Sequence, residues 1–165
     1  MKPYEKLEKM GACSEAVEWE KQFKTLQQGW DACERGDWLL WYAGKMCGPP
    51  DSKSRKKLVL CACKCARLSL KYVSNDEKRP LIAIQTAEKW AKGVGSVSIE
   101  DVRTAGTTAD AAAATAYAAD AAAYAAYAAA AAAAAADART KTRRKCANIV
   151  RKFYPKVPRE IGKWN

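Results

Sequence analysis

A chain of 165 residues with 49% hydrophobic and 28% charged side chains is long enough to bury a core and fits one domain, residues 1–165. It has 29 Lys and Arg against 18 Asp and Glu, a formal charge of +11, and no His, so the commonest general base and metal-binding nitrogen are excluded. Such a balance points to binding an anionic or electrostatically steered partner before it points to catalysis.

The N-terminal MKPYEKLEKM is charged and lacks the apolar stretch of a secretory signal, so a cytoplasmic protein is expected. Pro3 opens a short first helix. Ser14 is the expected N-cap of a helix over EAVEWEKQFKTLQQ, with Val17, Trp19 or Phe23, and Leu26 as buried candidates. A brief helix around Trp30 to Cys33 stops at Arg35-Gly36. Asp37 then caps WLLWYAGKM, which Gly48-Pro49-Pro50 ends. Trp38 and Trp41 lie three apart on one face of that helix. They read either as core anchors or as the wall of an aromatic pocket that stacks a base or grips a partner loop.

Ser52 or Ser54 caps the next helix, which runs through Leu58, Leu60, Cys61, Cys65, Leu68 and Tyr72 to a loop at Asn75. On this helix only Cys61 and Cys65 of the C-x-C-x-C run share a face. The run lacks the C-x-x-C spacing of zinc sites, so its cysteines are read as small, reduced core residues. Arg79-Pro80 opens a helix over LIAIQTAEKWAKG that Gly93 or Gly95 terminates. Ser98 caps IEDVRTA through the capping-box pair Ser98 and Asp101.

From residue 109 to 138 there are 23 alanines in 30 positions. Alanine loses no side-chain entropy in a helix and lets neighbouring helices approach closely, so packing helices are expected over about 107–138. Asp110, Asp120 and Asp137 make this tract unsuitable as a membrane span. No Gly or Pro occurs from Thr107 to Tyr154, and a single helix of that length would reach roughly 70 Å. A break is therefore expected, with Asp120 or Asp137 capping a new helix.

The positive charge lies in two blocks. Residues 51–72 hold seven basic and one acidic side chain, and residues 139–165 hold ten and one. Lys141, Arg143, Arg144 and Lys145 are the candidate basic surface, suited to phosphate contacts without sequence readout. The carboxylate pairs Glu15/Glu18 and Asp76/Glu77 sit at apparent helix starts, where the dipole favours acids. Gly93-Val94-Gly95 is too short for a phosphate loop. The expectation is an all-α bundle with no catalytic residue, no metal and no cofactor.

Taken in succession, RGDWLLW, RKKLVLCACKCARL, RPLIAIQTAEKWAKG, AAYAADAAAYAAYAAA and CANIVRKFYP resemble the immunity-protein family of bacteria and their phages, the immunity-five-like helical domain, from about Cys13 to Pro155. The resemblance implies an all-helical, non-enzymatic protein. By position it carries over Asp37, Arg67, Arg79, Glu88 and Arg151 as the polar residues of its motifs. The leading expectation is an inhibitory binding protein that captures a toxin or immune effector stoichiometrically. The alternatives are a sponge for an anionic nucleotide signal, with Arg67, Arg79 and Arg151 on phosphates and Trp38 or Trp41 on the base, and nonspecific nucleic-acid binding through the basic C-terminus. No membrane partner is expected, and a homo-oligomer is open to the chain.

Overall fold

The computed structural model describes residues 1–49, 51–73, 76–108 and 128–159. Among them there are helices and turns and no strands, so the fold is all-α. The described residues fall into two compact units.

The first unit combines residues 1–58 with 143–165. Helix α1 (Pro3–Lys9) begins at Pro3, and Glu5 accepts the Lys2 N–H at 2.8 Å. It packs against α2 (Ser14–Glu20). The helix expected to run through LQQ stops instead at Glu20, and its N-cap is Cys13, not Ser14. Local capping chemistry explains the interruption. Thr25 Oγ1 accepts the Gln28 N–H at 3.2 Å, and Gln28 Oε1 accepts the N–H groups of Thr25 and Lys24 at 3.2 and 3.0 Å. This capping box starts a separate α3 (Leu26–Ala32).

Helix α4 (Gly36–Met46) has Arg35 at its N-cap, so Asp37 lies in the first turn and is not the cap. The Arg35 guanidinium takes the carboxylate that would otherwise have capped the helix. Leu39, Tyr42, Ala43 and Met46 are buried, spaced i, i+3, i+4, i+7. Trp38 and Trp41 are only half-buried, so the indoles are not this helix's core anchors.

Helix α5 (Lys53–Arg67) is capped by Ser52, whose hydroxyl accepts the Arg55 N–H at 3.1 Å. It contributes residues to both units. The α-helix ends at Arg67, short of Tyr72, and a 3-10 turn spans Leu70–Tyr72. Asn75 lies outside the described residues. The second unit, residues 59–142, also contains α6 (Arg79–Lys92), with Pro80 in its first turn and Gly93 closing it at φ 67°. Residues 99–108 form α7. Ser98 Oγ accepts the Asp101 N–H at 3.1 Å, and Asp101 accepts the Ser98 N–H at 2.7 Å. Cys61, Cys63, Cys65, Ile84, Trp90 and Ala91 are buried. Cys63 is buried as well as Cys61 and Cys65 because its thiol faces α6, 3.8 Å from the Ile84 carbonyl.

Helix α8 (Ala128–Phe153) runs without a break through Asp137. Asp137 does not cap a new helix; it pairs with Lys141 one turn later at 2.7 Å. Asp120 and most of the alanine tract lie outside the described residues. The end of α8 belongs to the first unit, where Ala147 and Val150 are 0% exposed.

There α8 meets the start of α4 at Gly36. A Cβ on Gly36 would overlap Cys146 Cβ and lie 2.6 Å from the Ala147 nitrogen and 2.8 Å from the Arg143 carbonyl. The neighbours include backbone, which cannot rotate away. Gly36→Ala is therefore expected to destabilise the protein by about 1–3 kcal/mol, the usual cost of overpacking. Chemical denaturation of the two proteins side by side checks this.

Candidate functional site

The first unit contains a largely apolar cavity of about 380 Å³. α2, α3 and α4 supply most of its lining, and Leu7, Val157 and the turn at Gly11–Cys13 supply the remainder. Four indoles line it: Trp19, Trp30, Trp38 and Trp41. Trp19 and Trp38 meet edge to face with centroids 6.0 Å apart, and Trp30 meets Tyr42 the same way at 5.9 Å. The Trp30 N–H donates to the Tyr154 carbonyl at 3.0 Å, which fixes that indole.

Two carboxylates belong to the lining, Glu20 and Asp37. The Arg35 guanidinium donates to Asp37 at 2.9 and 2.7 Å and stacks 4.3 Å from the Trp38 ring centre. Burial pushes the Asp37 carboxyl up, but Arg35 more than offsets this and holds it below its ordinary range. Glu20 has no such partner. It is 4% exposed, and its Oε1 accepts no hydrogen bond. Burial raises its pKa from 4.5 to about 7. Its carboxyl lies against Gly29, where an added Cβ would overlap it. Sequence reasoning missed both residues. The available signals were the i, i+4 spacing of Ala16 and Glu20 on one helical face and a glycine inside a short helix.

The structure places the predicted site residues in separate settings. Asp37, Trp38 and Trp41 share the cavity lining. Arg67 and Glu88 form a bidentate pair within the second unit, with both bonds 2.8 Å, and Arg67 holds Glu88 below the usual carboxylate range. Arg79 grips its near neighbour Glu77 and lowers that carboxyl to about 2. Arg151 is half-buried in the first unit. Its guanidinium donates to the Cys33 carbonyl at 2.6 Å, the Trp30 carbonyl at 3.2 Å and Asn148 Oδ1 at 2.8 Å. It thus satisfies carbonyls left open at the end of α3.

On the basic surface, Lys141 pairs with Asp137. Arg143 lies 3.7 Å from Asp37, Arg144 pairs with Glu34 at 2.8 Å, and Lys145 is exposed. None of the seven cysteines is in a disulfide. Burial pushes Cys33 and Cys63 up to about 11, which makes both poor nucleophiles at neutral pH. Among the described residues, no three Cys, Asp or Glu side chains gather as a metal site, and no helix is long and apolar enough to cross a membrane.

Two outcomes follow from this geometry. Arg151→Ala strips charge-assisted bonds from partly buried carbonyls and is expected to cost about 2–3 kcal/mol. Arg67→Ala removes a half-exposed ion pair and is expected to cost less than about 1 kcal/mol. Melting curves of the two variants distinguish these cases. Glu20 binds its proton more tightly folded than unfolded, so its contribution to stability is complete below pH 4.5 and lost as pH rises through about 7. Wild-type melting temperature should therefore fall between pH 5 and 8 by a component that Glu20→Gln lacks.

Residues 49–148 match the model of a family described as "Imm-5 like putative immunity protein". No curated protein and no solved structure matches the chain. Arg67, Arg79, Glu88 and the Lys141–Lys145 block fall inside the matched stretch, whereas every residue lining the cavity falls outside it. Since the match covers more than half of the 165 residues, the chain belongs to the Imm-5-like immunity protein family.

Proposed function

We propose that the protein neutralises a toxin or immune effector by stoichiometric capture, without turning over any substrate. Membership of the immunity family carries this reading. The thiol chemistry agrees with it, because Cys33 and Cys63 are buried and held protonated. The cations of α8 favour an acidic partner surface: Lys141, Arg143, Arg144 and Lys145 follow one another along the helix, and their intramolecular pairs are exposed enough to exchange for intermolecular ones.

The arrangement of the arginines weighs toward a protein over an anionic nucleotide. Arg67, Arg79 and Arg151, the residues needed for phosphates, already bind Glu88, Glu77 and backbone carbonyls. A nucleotide would have to break those bonds before gaining its own.

The test mixes the purified protein with a candidate effector and weighs the complex by native mass spectrometry. The expected result is a fixed-ratio complex from which denaturation returns both partners chemically unchanged. A released product rejects capture. A nucleotide that raises the melting temperature while no effector binds favours the sponge. Binding to any nucleic acid, with affinity falling steeply with log salt, favours the phosphate-tracking alternative.

A further inference from the structure

The cavity of the first unit has the opposite charge preference to the chain that contains it. The protein carries +11, yet the cavity lining includes two carboxylates and no Lys or Arg. Asp37 is already satisfied by Arg35. Glu20 is not: it is buried to 96% with Oε1 unpartnered. An unpaired buried carboxyl is costly, and a ligand that supplies the missing donor recovers that cost. The surrounding indoles favour the same kind of ligand, since their faces attract cations. The fold already uses two of them this way, with Arg35 over Trp38 at 4.3 Å and Lys45 over Trp41 at 5.4 Å. The volume of about 380 Å³ suits a small molecule more than a single ion.

We propose that this cavity binds an organic cation, in which an amidinium, guanidinium or ammonium group pairs with Glu20 while an apolar body packs against the indoles. The inference goes beyond toxin capture and does not depend on it. All the residues involved lie outside the stretch matched to the family.

The chemistry has a proton signature. A positive charge beside Glu20 favours its carboxylate, so binding displaces the proton that burial retains. The other titratable groups lining the cavity are Cys13, Cys33, Asp37 and Tyr42, with Arg35 on Asp37, Arg151 facing Cys33 and Lys6 over the Tyr42 ring. Cys33 is held near 11 and Asp37 is held low, so neither releases a proton between pH 6 and 8, where Glu20 does. Glu20→Gln isolates the contribution of Glu20.

The experiment titrates the full chain with benzamidine, benzamide and benzoate, which share a shape and differ in charge. Tryptophan fluorescence and calorimetry in buffers of different ionisation enthalpy follow binding and proton release. Benzamidine is expected to saturate the protein at least about tenfold more tightly than benzamide, with benzoate weaker still. Its affinity should rise from pH 6 to 8 with release of a proton. Glu20→Gln should erase the charge preference and the pH dependence, and Trp38→Leu should weaken benzamidine binding. Equal affinity for benzamide, preference for benzoate, no saturable binding, or an unchanged preference in Glu20→Gln overturns the proposal. If Glu20→Gln does not fold, the wild-type charge series and its pH dependence decide alone. Nα-acetylarginine amide distinguishes the sources of the cation. If it binds more tightly than benzamidine, the group is an arginine side chain presented by a protein; the reverse order indicates a free small molecule.

Discussion

The first unit depends on the approach of α8 to the opening turn of α4. Gly36 permits helix backbone to pass where any side chain would stand, and Ala147 and Val150 are sealed in the same packed region. The contact brings Arg151 within reach of the carbonyls that end α3. It also brings the Tyr154 carbonyl to the Trp30 N–H. The indole that backs the cavity is therefore oriented by chain more than 120 residues away. Small residues set the distance, and polar groups then fix the orientation.

Charge in this protein is organised by setting. On the surface, Lys141, Arg144, Arg67 and Arg79 are each paired with a nearby acid, which leaves their heads in water and their pairs exchangeable. Inside the first unit the balance inverts. Glu20 sits among indoles without a counter-ion, at the end of a seven-residue helix and against a glycine that makes room for it. A cationic chain and a cavity lined by carboxylates can coexist because low-dielectric walls keep local groups dominant over the distant net charge.

Much of the helical order was legible because capping chemistry is local. Pro3, Ser52, Arg79-Pro80, Gly93 and the Ser98–Asp101 pair all act where their sequence context placed them. The same logic, applied to Thr25 and Gln28, would have found the α2–α3 interruption; the apolar spacing across it obscured the signal. Asp37 misled because its carboxylate had a stronger partner two residues back. Trp38 and Trp41 line the cavity with the buried Glu20, a proximity their own helix spacing did not announce. The tasks of Arg151, Gly36 and Glu20 were not legible, since each depends on a tertiary neighbour that no window of sequence contains.

The first unit is discontinuous, drawn from residues 1–58 and 143–165, and this orders its assembly in time. During synthesis α1 to α4 leave the ribosome well before α8 is translated. Until then Gly36 lacks the α8 backbone that packs against it, the end of α3 has no Arg151, and the cavity lacks Val157. Closing so long a loop carries an entropic cost, so the first unit is completed late. A chain truncated within the alanine tract never passes that stage. Such a fragment lacks the α8 groups that approach Gly36, hold the end of α3 and orient Trp30.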